Sequence, residues 1–141
     1  MHKALAAALL AFGVLVTIGC KGPTDPSDNQ TQTFTGTVQP QSLDIKIFQV
    51  SNLGEIAIKL TALTPGNVLI GVAYGQSPDG VNCQPIQSNP VVSNANVGKS
   101  VFQNAIYIKG AYCVLVFDPV GVSTTTPWPV AQTYGLEVKH P

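Results

Sequence analysis

The sequence predicts an all-β sandwich of about seven or eight short antiparallel strands, and three observations support this fold class. From residue 33 onward, short runs of apolar residues are interrupted by Gly, Pro, Asn and Ser. No stretch beyond the leader has the spacing of an amphipathic helix. The run 110–118 (GAYCVLVFD) is apolar on both of its alternating faces, which is typical of a strand buried on both sides.

The first nineteen residues have the pattern of a secretory signal peptide. Lys3 supplies a positive charge, an apolar run covers residues 4–18, and Gly19 is the small residue before Cys20. This segment is too short and wrongly flanked to act as a membrane span. If this is an ordinary secretory signal that is not cleaved directly before Cys20, Cys20 has no role in processing and remains an unpaired thiol. The leader therefore predicts an exported protein.

The run 16–20 (VTIGC) resembles the bacterial lipobox. This resemblance implies cleavage before Cys20, lipidation of its sulfur and a membrane anchor in the cell envelope of a bacterium. The three cysteines of the chain agree with it, because an odd thiol in an exported protein needs a role of its own. Several acyl chains anchor a protein stably. Since Lys21 rather than Asp follows Cys20, the resemblance favours the outer membrane over the inner one.

A disordered tether is predicted between the lipidated cysteine and the sandwich. Residues 21–32 (KGPTDPSDNQTQ) include two prolines and no aliphatic or aromatic side chain, so they cannot bury apolar surface. A flexible segment of this length spans about 20 Å. The predicted organisation is a signal peptide at 1–19, lipidated Cys20 and tether at 20–32, and a sandwich at 33–141.

Alternation and turn residues place the strands in chain order. The predicted strands are 33–38, 44–50, 55–63, 68–74, 83–87, 100–108, 110–118 and 133–139. In the third strand apolar and polar residues alternate clearly, with Ile56 on the buried face and Glu55 on the solvent-exposed face. The turn 64–67 (TPGN) ends it. The segments 75–99 and 119–132 are irregular and rich in turn residues.

Cys83 and Cys113 are predicted to form a disulfide. An exported chain folds in an oxidising compartment, where such pairs form and persist. Closing a loop of thirty residues stabilises the fold by roughly 3–4 kcal/mol on the chain-entropy model. The alternative is a metal or redox pair, but the sequence contains no Cys-x-x-Cys motif and no histidine near either cysteine.

The order of these motifs resembles the bacterial pre-peptidase C-terminal (PPC)-like family. The matching runs are FTGTV at 34–38, IFQV at 47–50, the strand at 54–63, GAYCVLVFD at 110–118 and TYGLEV at 133–138. The resemblance implies a small jelly-roll sandwich that acts as an accessory module without catalytic residues. In this sequence no protease or other enzyme domain accompanies it.

Composition excludes several functional classes. Charged residues make up 10% of the chain and there is no arginine, whereas a nucleic-acid-binding protein needs a basic patch. His140 is the one histidine that remains after cleavage, and its place beside the terminus predicts a frayed residue unsuited to a Ser-His-Asp site. The sequence predicts no enzyme activity and no cofactor.

Three residues remain as candidates for binding. Asp79 (in SPDG) and Asp118 (in DPVG) suit turns whose carboxylates bond their own backbone. As an alternative, loop carboxylates and carbonyls could hold calcium, which prefers oxygen ligands. Trp128, in TPWP, is either an exposed platform for a sugar or a protein or a plug that closes one end of the sandwich.

These observations together predict a non-enzymatic, lipid-anchored envelope protein with a structural or binding role. Its expected partners are the membrane, through the anchor, and a polysaccharide or an envelope protein. Two alternatives remain open at this point. One is a carbohydrate-binding module that uses Trp128, and the other is an accessory subunit of a secreted protease.

Overall fold

A computed structural model describes residues 29–141, with the backbone alone at 89–92 and 95. Its eight strands are β1 Gln30–Val38, β2 Leu43–Val50, β3 Gly54–Thr64, β4 Ile70–Gln76, β5 Gln84–Val92, β6 Ser100–Ile106, β7 Gly110–Phe117 and β8 Gln132–His140. A 3-10 helix, Asn94–Asn96, lies between β5 and β6. Among the described residues, none belongs to a helix long and apolar enough to cross a bilayer. The predicted signal peptide, Cys20 and most of the predicted tether lie outside this part of the chain.

The strands form two four-stranded antiparallel sheets. Sheet A has the order β1-β8-β3-β6, and sheet B has the order β2-β7-β4-β5. The β4–β5 hairpin stays within sheet B, and each of the other connections between the eight strands passes from one sheet to the other. This is the strand order of a jelly roll. The predicted all-β, antiparallel jelly-roll sandwich is confirmed.

The core lies between the two sheets and is built by alternation. Every second side chain of a strand points to the same face, and the inward faces of both sheets are apolar. Sheet A contributes the fully buried residues Ile56, Ile58, Leu60, Leu136 and Val138. Sheet B contributes Ile70, Val72, Val114 and Val116, also fully buried. Burial of these aliphatic side chains, each stabilising by about 1.5–3 kcal/mol, holds the sheets together.

Strand pairing extends two elements beyond their predicted bounds. β1 begins at Gln30, three residues before the predicted start, because residues 30–32 pair with the end of β8. The last residues of the predicted tether are therefore in the sheet. β5 runs to Val92 rather than to residue 87, since it pairs with β4 along that length. Polar residues form strand here because a neighbouring strand offers backbone partners.

The prediction of a frayed His140 is wrong. The side chain is 0% exposed, and its ring centroid lies 5.0 Å from that of Phe48. Its Nδ1 is 3.2 Å from the carbonyl oxygen of Pro141. β8 continues to His140 with the same alternation that buries Leu136 and Val138, so the imidazole is carried into the core.

The predicted disulfide is present. Cys83 and Cys113 are joined with a Cα–Cα distance of 5.7 Å across a sequence separation of 30. The bond attaches the β4–β5 connection to the middle of β7, where Cys113 is fully buried. The irregular segment that follows β4 is thus fixed to a central strand of sheet B.

Candidate functional site

The outer surface of sheet B is apolar across β2, β7 and β4, beginning with the edge strand β2. Phe48 and Val50 of this strand belong to the core. Because successive side chains of a strand point to opposite faces, Leu43, Ile45 and Ile47 point away from the core. Leu43 is 52% exposed, and the two isoleucines are half-buried. β2 therefore has apolar residues on both faces.

The strand register continues this apolar surface across β7 and β4. Three cross-strand rows result: Leu43–Phe117–Gly71, Ile45–Leu115–Ala73 and Ile47–Cys113–Gly75. We call these nine residues the outer face. No row contains a charged side chain. The outer face is consequently apolar across three of the four strands of sheet B. Its exposed and half-buried members lie in β2 and at Phe117, whereas the remaining five are buried: Gly71, Ala73, Gly75, Cys113 and Leu115.

A glycine shapes one end of the outer face. A Cβ atom at Gly71 would overlap the ring of Phe117, so this ring lies directly over the glycine. Phe117 is itself half-buried. Phe117 therefore packs against the backbone of β4 at this end of the outer face.

The outer surface of sheet A is polar, in contrast. In β1, Thr33 and Thr35 are exposed. Across β3 and β8, Lys59 Nζ lies 3.3 Å from Glu137 Oε1. Lys139 is also exposed on β8. This is the composition expected of an antiparallel sheet that faces water on one side. The outer surface of sheet A is therefore polar, whereas that of sheet B is apolar across β2, β7 and β4.

A recess, which we call the edge groove, lies between the edge strands β5 and β6. Its volume is about 300 Å³, and the hydroxyl-bearing rings of Tyr74 and Tyr112 line it. Three exposed apolar or aromatic side chains also line the groove: Ile86 at 59%, Tyr107 at 80% and Ile108 at 60% exposure. All of the residues that line the groove are uncharged.

Hydrogen bonds within the protein engage several polar groups of the edge groove. Asn104 Nδ2 donates to Tyr74 Oη at 2.8 Å and to Gln87 Oε1 at 3.2 Å. Tyr112 Oη donates to the carbonyl oxygen of Ile108 at 2.9 Å. Burial raises the pKa of the Tyr74 phenol. These polar groups of the groove are thus hydrogen-bonded within the protein, and exposed apolar side chains surround them.

The structure packs Trp128 into the core. The side chain is 5% exposed, and its Nε1 donates to the carbonyl oxygen of Leu69 at 2.7 Å. The backbone N–H of Trp128 donates to Asp118 Oδ2 at 3.0 Å. This arrangement corresponds to the plug alternative. An exposed platform for a sugar or a protein does not form at Trp128, because the core covers the ring.

Asp118 and Asp79 serve separate turns at opposite ends of the sandwich. Asp118 is buried after the end of β7, where Oδ2 also accepts from the Gln41 N–H at 3.0 Å. Asp79 is exposed in the β4–β5 connection and accepts from Val81 N at 3.0 Å and Asn82 N at 2.8 Å. These hydrogen bonds, first that from Val81, lower the pKa of Asp79 to about 2.

The two carboxylates therefore cannot share one calcium ion. Within residues 29–141, no three His, Cys, Asp or Glu side chains come together in a way that could hold a metal. Cys20, the predicted lipidation site, lies outside the described residues.

Sequence reasoning did not identify the outer face or the edge groove. The alternation in LDIKI (43–47) was the available signal for the outer face, because it separates three aliphatic residues from Asp44 and Lys46. The edge groove had no comparable signal. It depends on β5 and β6 lying at the same side of the sandwich, which is a property of the strand order.

No protein-family model and no curated protein matches the chain. Among solved structures, it is similar to PliG of Aeromonas hydrophila, a periplasmic inhibitor of g-type lysozyme, with a TM-score of 0.50, 15% identity and coverage of 79% of this chain and 87% of that one. It is also similar to the Yersinia pseudotuberculosis-derived mitogen, with a TM-score of 0.48, 15% identity and coverage of 78% and 83%. Such identities show a shared fold alone.

Proposed function

We propose that this chain is a non-enzymatic, lipid-anchored protein of the bacterial cell envelope that binds a partner protein through the outer face. The observation that carries this proposal is the difference between the two outer surfaces of one sandwich. The outer surface of sheet A has the threonines and the Lys59–Glu137 pair of a sheet that faces water. The rows of the outer face of sheet B are uncharged. Their exposed part is the β2 side, where Leu43 is 52% exposed and Ile45 and Ile47 are half-buried, and exposed apolar surface marks interaction sites.

The position of β2 supports the same proposal. Within the described residues, β2 is one of the two edge strands of sheet B and pairs with β7 alone. Its outward side chains, Leu43, Ile45 and Ile47, are the more exposed members of the outer face. A partner that covers them gains apolar burial worth about 25 cal/mol per Å². It can also pair with the free backbone edge of β2, a common mode of strand addition.

The non-enzymatic part of the proposal is supported by where the titratable residues lie. The imidazole of His140 packs against Phe48, away from any hydroxyl or thiol nucleophile in the contacts of the described residues. Asp79 and Asp118 hold turns. The similar fold of the Aeromonas hydrophila inhibitor, a periplasmic protein, agrees with an exported binding role, although the proposal itself depends on the outer face.

Carbohydrate binding is the second candidate function, and the edge groove is the observation that favours it. Tyr107 is 80% exposed beside amide and hydroxyl groups, and the lining is uncharged. Sugars commonly stack on such aromatic rings. Titration with cell-wall and plant polysaccharides, followed by backbone NMR shifts at residues 104–108, tests this candidate. Unchanged shifts across the panel would remove it.

Co-purification from the native envelope tests the outer face. The double variant Ile45→Thr/Ile47→Thr keeps β-branched residues, and with them strand propensity, while it reduces the apolar surface. Thr33→Ser/Thr35→Ser is the matched control on sheet A. We expect wild type and control to retain one stoichiometric partner, such as a secreted protease or another envelope protein, and the outer-face variant to lose it. Equal retention by all three, with melting temperatures showing that each is folded, would overturn the proposal.

The lipid anchor requires a separate test. Mass spectrometry of the mature amino terminus should show cleavage before Cys20 and added acyl mass. Cys20→Ser should move the chain from the membrane to the soluble fraction of the envelope. An unmodified Cys20 in the mature protein would contradict the anchoring part of the proposal, whatever the outer face binds.

A further inference from the structure

One end of the sandwich carries exposed apolar side chains beside the point where the chain leads back to Cys20. We call this the tether end and define it by Asn29 and the turns 51–53 and 107–109. We propose that the tether end docks on the surface of the lipid bilayer. This inference rests on the lipid anchoring proposed above and names a further contact, separate from the outer face.

Strand pairing places Asn29 and the turns 51–53 and 107–109 at the same end of the sandwich. Asn29 lines one recess together with Glu55 and Gln103. Gly54, next to Glu55, pairs with Ile106, so the turns 51–53 and 107–109 leave sheet A side by side. The chain that connects to Cys20 therefore joins the sandwich next to these two turns.

The side chains at these turns suit a membrane interface. Tyr107 is 80% exposed, Ile108 60% and Leu53 39%. Tyrosine is enriched at membrane interfaces, because its ring is apolar and its hydroxyl reaches water. Several polar groups of the adjacent edge groove already bond within the protein, as Tyr112 does to the carbonyl of Ile108. Tyr107, Ile108 and Leu53 therefore offer apolar contact, which favours lipid over a sugar as the occupant. The other residues of the two turns are exposed and polar, as suits the headgroup layer: Ser51, Asn52 and Lys109.

The length of chain between Cys20 and Asn29 keeps the tether end close to the bilayer. Nine residue steps reach at most about 30 Å even when fully extended. Confinement within such a distance corresponds to an effective concentration on the order of millimolar. At this effective concentration the tether end contacts the bilayer even if the contact is too weak to bind an unanchored protein to a membrane.

Charges at the tether end are balanced. The exposed cations Lys109 and Lys139 are matched by the exposed anions Glu55 and Asp79. Recognition of anionic lipid depends on clusters of basic residues, and no such cluster is present at the described part of this end. Docking should therefore be as strong on neutral as on anionic bilayers.

Depth-dependent fluorescence quenching tests the inference on the lipidated chain. Tyr107→Trp places a reporter at the tether end, and Val122→Trp is the matched control, because Val122 is 69% exposed in the loop after β7 at the opposite end. Both variants keep the buried Trp128 as a constant background. In phosphatidylcholine vesicles with brominated acyl chains, we expect the added tryptophan at 107 to be quenched severalfold more than that at 122. Added phosphatidylglycerol should leave this difference unchanged.

A second substitution and vesicle flotation separate the possible failures. Ile108→Asp should reduce the quenching at position 107, whereas Val122→Asp should not. Equal quenching at positions 107 and 122 in a chain that floats with the vesicles would overturn the docking and leave the anchor intact. A chain that does not float would overturn the anchoring and this inference together.

Discussion

At the residue scale, Tyr134 joins the two sheets beside their β1 and β2 edges. Its Oη donates to Asp44 Oδ2 at 2.8 Å, and Lys46 Nζ lies 3.1 Å from the same oxygen. A Cβ atom at Gly36 would overlap both Tyr134 and Asp44, so glycine is needed for this close approach. Burial, and then the hydrogen bond to the negative Asp44, raise the pKa of the Tyr134 phenol.

The raised pKa predicts that stability falls in alkali. Above pH 10 the unfolded chain loses the Tyr134 proton while the folded chain keeps it, so the free energy of unfolding decreases as the pH rises. Tyr134→Phe should cost about 1–3 kcal/mol at neutral pH through the lost hydrogen bond and should make this alkaline decrease shallower. Denaturant unfolding between pH 7 and 11 measures both effects. An equally steep alkaline decrease in Tyr134→Phe would contradict the assignment, since only the smaller contribution of Tyr74 should remain.

The burial of Trp128, the only tryptophan, makes a second prediction at this scale. Its emission should be blue-shifted relative to a tryptophan in water and resistant to acrylamide. Trp128→Phe, which removes the donor to the Leu69 carbonyl, should destabilise by about 1–3 kcal/mol. Trp128→Ala should cost about 3–5 kcal/mol because it leaves a cavity. An exposed emission spectrum that quenches freely would mean that the ring does not plug the sandwich.

At the scale of elements, β7 organises sheet B. It pairs with both β2 and β4, contributes Val114 and Val116 to the core, and carries Cys113 toward the β4–β5 connection. Its apolar residues therefore divide between the core and the outer face. This explains why a strand with two apolar faces exists in a sandwich of only two sheets.

Removal of the disulfide should weaken the fold and loosen one segment in particular. Cys83→Ser/Cys113→Ser should lower the free energy of unfolding by roughly 3–4 kcal/mol, as expected for a closed loop of about thirty residues. Amide exchange should accelerate most in residues 77–92. Wild type treated with reductant should match the variant. Unchanged exchange in residues 77–92 would show that the bond does not hold this segment.

Elements were predictable wherever alternation and turn residues agreed. Glu55 and Ile56 mark the two faces of β3, and TPGN marks its end. Strand ends were less predictable, since residues 30–32 become strand only because β8 lies beside them. His140 illustrates the same limit, because its burial against Phe48 follows from β8 continuing to the end of the sheet.

At the scale of the whole molecule, the two proposed contacts are compatible. The strands run from the tether end to the end that holds Val122. β2 has eight residues and β3 has eleven, which correspond to strand lengths of roughly 25–35 Å. The rows of the outer face succeed one another along this direction. A sandwich docked by its tether end would therefore present the outer face sideways, above the bilayer and open to a partner.

The candidate site itself could not be predicted at this scale. Leu43, Phe117 and Gly71 form one row through hydrogen-bond register, and no local pattern specifies which strands become neighbours. Trp128 attracted attention in sequence because it stands alone between prolines, yet the same prolines belong to a loop that folds back to Leu69. Which side chains share a surface depends on the pairing of strands that are distant in sequence, and the amino-acid composition does not specify that pairing.

Site-directed photocrosslinking in living cells tests the central claim most directly. A photoreactive amino acid replaces Leu43 on the outer face or, as the control, Thr35 on the outer surface of sheet A, and both positions are exposed. We expect irradiation to give a discrete adduct with an envelope protein from position 43 and none from position 35. Equal labelling from both positions, or no adduct from position 43 in a folded and anchored chain, would contradict the proposal that the outer face binds a partner protein.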